Sequence, residues 1–188
     1  ELSILANVSG SAGAGIIKTG SGEMRLAGTN TYTGFTAVSN GWLYAAGPAP
    51  LGSGTAGLSL DGGDLRLDTA TITNKWLTNS IVGTLIRVSA STDSIWKSNV
   101  VLLADCTIEV QTNATWNIIG VISGAGGITK TGPGTLIYSG SGANTYEGAT
   151  TVNEGELQLG KTSAIYSSSS LTIGDGWGGE DADIVREI

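Results

Sequence analysis

The feature that most constrains this chain is a triplet, two apolar residues around one other, that recurs with a glycine-containing turn on either side. Leu65-Arg66-Leu67, Ile108-Glu109-Val110, Leu136-Ile137-Tyr138 and Leu157-Gln158-Leu159 are examples. Period-two alternation sends the outer pair of each triplet to one face and the middle residue to the other. No segment carries the longer apolar pattern of an amphipathic helix. Strands this short cannot hold a hairpin together alone. Stacked as coils of a parallel solenoid, they bury one face against the coils above and below, and interior backbone groups find partners ~4.8 Å away. The expected fold is therefore all-β, a parallel β-helix (β-solenoid) of roughly eight to nine coils and about 40 Å.

The chain also repeats itself over a longer distance. Lys18-Thr19-Gly20-Ser21-Gly22 lies over Lys130-Thr131-Gly132-Pro133-Gly134, and Asn30-Thr31-Tyr32-Thr33-Gly34 over Asn144-Thr145-Tyr146-Glu147-Gly148. Leu2 to Gly10 lies over Trp116 to Gly124, and Leu58-Ser59-Leu60 more weakly over Leu171-Thr172-Ile173. The small shifts in offset fall in glycine-rich turns, which absorb insertions that strands do not. We read residues 1–188 as a single β-solenoid domain, with one full repeat of about 113 residues (about 2–115) and a partial second (about 116–188).

These residues carry a family resemblance. Gly-Ile-x-Lys-Thr-Gly-x-Gly, then Asn-Thr-Tyr-x-Gly-x-Thr-x-Val, then Gly-x-Leu-x-Leu-Gly, as they stand from Gly127 to Gly160, are similar to the autotransporter-associated β-strand repeat of bacterial passenger regions. The first copy departs at Gly41-Trp42-Leu43-Tyr44, where the family has aliphatic residues around small polar ones. The stretch Leu171 to Gly179, with Ala182 to Val185, resembles the piece that follows this repeat in large bacterial surface proteins. The resemblance implies a right-handed β-helix on a cell surface or outside the cell, and no particular chemistry.

Composition narrows the function classes. Thirty glycines with a 40% hydrophobic fraction describe a turn-rich β protein, not a disordered one. A net charge of −7 without a Lys/Arg cluster disfavours nucleic acid and anionic membranes as partners. Histidine is absent, which removes Ser-His-Asp and Cys-His catalysis and the usual zinc sites. Cys106 is the single cysteine, so no internal disulfide forms, and it reads as a small buried residue. No apolar run has the length of a membrane span, so this segment is not expected to insert. Opening on strand-like sequence at Glu1 and stopping inside a repeat at Ile188, it reads as part of something longer.

Candidate sites are few. Trp42 and Tyr44 flank Leu43; if Leu43 points inward, the two rings stand together outside as a carbohydrate-stacking platform would. Asp175, Asp181 and Asp183 form the densest acid cluster and offer oxygen ligands to Ca²⁺, but match neither an EF-hand nor a calcium β-roll. Asp61, Asp64 and Asp68 are a sparser set read as a solvated face. Lys18 and Lys130, at equivalent positions, are expected to lie along the surface with the ammonium in water. Asn30 and Asn144 suit a ladder or turn-facing role, and glycines such as Gly28, Gly34, Gly132 and Gly148 suit turns of positive φ. Gly52-Ser53-Gly54-Thr55-Ala56-Gly57 matches a dinucleotide-binding pattern without its strand and helix, and reads as a turn.

The expectation is a non-enzymatic structural or adhesive module with no required cofactor. Its partners would be further copies joined end to end by strand pairing, or a surface carbohydrate or protein ligand. The alternative is a carbohydrate-active β-helix enzyme, a polysaccharide lyase or tailspike-like protein, which would need a concave acidic site with a base.

Overall fold

The computed structural model describes residues 2–4, 7–165, 169–174 and 183–188. Every regular element among them is a β-strand, and every pairing between strands is parallel. The strands form three sheets that the chain visits in turn. Sheet A has nine strands, from Leu2–Ile4 to Leu171–Ile173; sheet B has seven, from Ile16–Lys18 to Thr145–Tyr146; sheet C has six, from Thr71–Ile72 to Ile184–Glu187. The fold is a β-solenoid with three faces, and sheet A alone gives it a length of about 38 Å.

The coil length shows in the register of sheet A, where Leu85, Thr107, Thr129 and Thr151 lie side by side at intervals of 22 residues. Sheet C starts later than the other two. Between Glu23–Thr29 and Thr36–Val38 the chain passes directly from sheet A to sheet B with no strand in between.

The alternation expected of the triplets holds. Leu43, Leu65, Ile86 and Ile108 follow one another along the inward file of sheet A and are buried, as are Trp116, Ile118, Leu136 and Tyr138 on sheet C. Cys106 is buried in the same core, and burial, with Asp105 beside it, pushes its thiol up to about 12. Thr69 to Lys97 supplies two strands of sheet C and one each of sheets A and B.

The file that includes Lys130 overturns the surface reading of the lysines. Lys130 occupies an inward position between Ile108 and Val152 and is 0% exposed; Lys18 occupies one beside Val38 and is 8% exposed. Period two explains this directly, because Ile128 and Lys130, like Ile16 and Lys18, are two residues apart and share a face. Ile17, between them, is the residue that meets water.

Candidate functional site

The motif shared by the two copies builds the same three devices twice. The first is the lysine. Nζ of Lys130 donates to the carbonyls of Thr131 (2.9 Å), Gly132 (2.6 Å) and Glu154 (3.0 Å), matching three donors of an ammonium to three acceptors on two coils. Nζ of Lys18 donates to the carbonyls of Gly20 and, at 3.0 Å, Asn40. Both side chains run through the core and end at a turn whose carbonyls would otherwise lack donors.

The asparagine ties three coils together. Oδ1 of Asn144 accepts from Ile122 N–H at 2.9 Å, while its Nδ2 donates to Ala164 C=O at 2.7 Å. Asn30 does the same between Val8 N–H (2.7 Å) and Pro50 C=O (2.6 Å). These residues bridge coils through backbone groups; they do not stack on each other. The third device is a hydroxyl pair: Tyr32 shares a hydrogen bond with Thr36 at 2.9 Å, and Tyr146 with Thr150 at 2.5 Å, all four buried. Burial outweighs the threonine contact and raises both phenols, Tyr32 to about 12.

Gly34 and Gly148 have a different task from the one expected of them. Neither has positive φ. A Cβ on Gly34 would stand 2.2 Å from Gly13 O, and one on Gly148 2.2 Å from Gly127 N, so these are places where neighbouring coils touch backbone to backbone.

Trp42 and Tyr44 lie on the outward face of sheet A, with Leu43 buried between them. Tyr44 is sandwiched: the guanidinium carbons of Arg25 and Arg66 lie 4.9 and 4.6 Å from its ring centroid. Arg87 lies 5.2 Å from the Trp42 ring and pairs with Glu109 at 2.7 Å. Both faces of the Tyr44 ring are thus occupied by protein. Its hydroxyl donates to Asp68, Asp64 accepts from Leu85 N–H at 2.8 Å, and Asp61 accepts from Ser80 Oγ at 2.5 Å. Each of these three acids is engaged with a neighbouring coil. Among the described residues no group of three or more His, Cys, Asp or Glu side chains is placed to hold a metal ion. Asp175 and Asp181 lie outside the described residues, and Asp183 stands just before the strand Ile184–Glu187.

Two features escaped the sequence reading. One is a threonine file on the outward face of sheet A, Thr107, Thr129, Thr151 and Thr172, one per coil. The other is on sheet B, where Phe35 and Trp76 are exposed by 44% and 53%. They lie in one file of border residues, Phe35, Gly57, Trp76, Asn99, which the register fixes through Thr36, Leu58, Leu77 and Val100. The available signal was Gly57, one coil before a tryptophan at the same position.

Comparison with known proteins agrees with this picture. The passenger-associated-transport-repeat family matches twice, at residues 16–45 and 128–159, which hold the paired lysine, asparagine and tyrosine devices. The adhesin BmaC autotransporter of Brucella suis biovar 1 (strain 1330) is 34% identical over 158 residues, covering 84% of this chain. The chain spans 4% of the length of that protein. No solved structure matches the present chain. The chain is a β-solenoid of the autotransporter-passenger type, built around two passenger-associated-transport repeats.

Proposed function

We propose that this solenoid is a non-enzymatic structural and adhesive module of a protein at the bacterial surface. The observation that carries the reading is the architecture: parallel ladders stack coil on coil along the rod, sheet A over its whole described length, and the matched motif is spent on joining coils, with its lysine, asparagine and tyrosine all turned inward. Such a rod holds side faces and turns at fixed spacing away from the cell, and adhesion follows from what those faces present. Similarity to an adhesin supports the same reading. Beads coated with the purified chain should attach to cultured cells well above albumin-coated beads; equal attachment would overturn the adhesive part.

The solenoid also has strands at the margins of its three sheets, Leu171–Ile173 on sheet A and Ile184–Glu187 on sheet C among them. Such edges pair with further strands, so copies of the chain associate end to end by continuing the ladders. Sedimentation velocity should show association that grows with concentration, and a monomer at every concentration would exclude it. The carbohydrate-active alternative draws no support from the acids on sheet A, which are tied to neighbouring coils rather than gathered with a base in a cleft.

A further inference from the structure

Sheet B differs from the other faces in what it shows to water. Along its outward file stand Ile17, Ala37, Ser59, Thr78, Val101 and Ser123, then Thr145; none is charged, and all but Ser59, which is buried, reach solvent. Six large apolar residues that remain exposed belong to this sheet or its flanking turns: Ile17, Phe35, Trp76, Ile81, Val82 and Leu103.

Trp76 is laid onto this face. A Cβ built on Gly57 would stand 1.5 Å from Nε1 and 1.8 Å from Cδ1 of Trp76, so the indole lies over Gly57 where any side chain there would collide. The ring covers the preceding coil, leaving Gly57 buried, while Trp76 itself stays 53% exposed. Phe35 stands one further coil along, about 10 Å from Trp76 along the file, a span comparable to a disaccharide. On the other side comes Asn99, exposed, whose Oδ1 accepts Val121 N–H at 3.1 Å and so turns the amide group to present its N–H donors.

We infer that this face is a binding platform for an uncharged polysaccharide, with Trp76 and Phe35 stacking on the apolar faces of its sugar rings and Asn99 donating to a hydroxyl. The inference rests on the adhesive reading and names its ligand class and site. Two observations choose the occupant. Sheet B with its border residues measures about 30 by 16 Å, or about 500 Å², below the ~800 Å² per partner of a standard stable protein interface. The chain's net charge of −7 repels an acidic glycan. A neutral chain of sugars is flat, extended and uncharged, as the outward file of the sheet B strands is, with Asp61 and Glu147 confined to the border away from Phe35 and Trp76.

The probes are cellohexaose, chitohexaose and mannohexaose, with an oligomer of galacturonic acid as the charged control, titrated against the whole chain by tryptophan fluorescence and saturation-transfer NMR. At least one neutral oligomer should bind in the high-micromolar to millimolar range. Trp76→Ala should weaken that binding about tenfold. Gly57→Ala, which keeps the indole but evicts it from its seat, should weaken it too, and Trp42→Ala should leave it unchanged. Circular dichroism confirms that each variant is folded; Trp76 is exposed enough that its loss spares the core. The proposal fails if no neutral oligomer binds at about 10 mM, if Trp76→Ala and Gly57→Ala bind like the parent, or if Trp76→Ala instead dissolves a dimer seen by sedimentation. Bead attachment separates this failure from that of the adhesive reading. Trp76→Ala beads that adhere like the parent overturn this platform alone, whereas parent beads that do not adhere overturn adhesion and leave the sugar titration to judge the platform.

Discussion

The two copies of the repeat do not lie on the same faces. Strands Ile16–Lys18 and Glu23–Thr29 of the first belong to sheets B and A, whereas their counterparts Ile128–Thr131 and Thr135–Tyr138 belong to sheets A and C. Thr36–Val38 on sheet B likewise corresponds to Thr150–Val152 on sheet A. Ile16 and Ile128 are 112 residues apart, which here is five coils and one face further round the rod. The lysine, asparagine and tyrosine nevertheless make equivalent bonds in both places. What the motif encodes is thus a relation between one coil and the next, indifferent to which sheet carries it. The outward residues are free to differ, and they do. Beside the first copy sheet A shows arginines and aromatic rings, and beside the second it shows threonines.

The equivalence can be broken most forcefully at the asparagines. Asn144→Ala strands a buried N–H and a carbonyl at once and should cost about 2–4 kcal/mol in urea unfolding. Asn30→Ala should cost about half as much, because Val8 N–H is only part-buried and can turn to water. Equal costs would mean that the environment of the bridge does not matter. At the close approaches the copies should instead agree. Gly34→Ala and Gly148→Ala each force a Cβ against backbone that cannot rotate away, so each should lose about 1–3 kcal/mol. A neutral Gly148→Ala would show that neighbouring coils can part without penalty.

How much of this was legible depends on the face. Sheet A and sheet C announce themselves because their triplets carry two apolar residues around an unlike one, as at Leu65-Arg66-Leu67 and Trp116-Asn117-Ile118. Sheet B strands are short and several break that pattern, though Leu58–Leu60 keeps it: Ile16–Lys18 has its lysine inside and Ile17 outside, and Leu77–Asn79 turns an asparagine inward. The lysines were misjudged for the same reason, since their charge outweighed an alternation that placed them correctly. Alternation puts Trp42 and Tyr44 on one face and leaves open which face that is until Leu43 is seen to be buried, and their arginine neighbours come from coils more than twenty residues away on at least one side. Trp76 could not be located at all without knowing that Gly57 lies beside it.

A smaller effect in the second copy should appear with pH. Burial holds the Lys130 ammonium down at about 8, against an ordinary 10.5, with Glu154 and Asp183 opposing the shift. Below about 8 the folded and unfolded chains both carry this proton, and between about 8 and 10.5 only the unfolded chain does. The unfolded state then binds more protons, so this lysine's contribution to stability rises with pH across that window, by about 2 kcal/mol between pH 8 and pH 10. Lys161, lowered by burial to about 8, acts in the same direction, so the comparison must be with Lys130→Met. The gap in unfolding free energy between parent and Lys130→Met should widen in the parent's favour from pH 8 to pH 10; a constant gap would contradict the shift.

The finest test lies in the hydroxyl pairs. Tyr146→Phe removes one oxygen and leaves the ring in its core position, so packing is conserved and the loss is that of the hydrogen bond to Thr150 together with the contact to the Tyr138 hydroxyl, about 1 kcal/mol. Tyr32→Phe poses the same question where the chain runs from sheet A to sheet B with no strand between them. If the pair belongs to the motif and not to the face, the two variants should lose the same amount within experimental error. If Tyr32 matters clearly more, its hydroxyl is standing in for the missing ladder, holding Thr36 in register where no third sheet does so. Thr36→Val with Tyr32→Phe in a double-mutant cycle, set against Thr150→Val with Tyr146→Phe, gives the two coupling energies free of differences in burial.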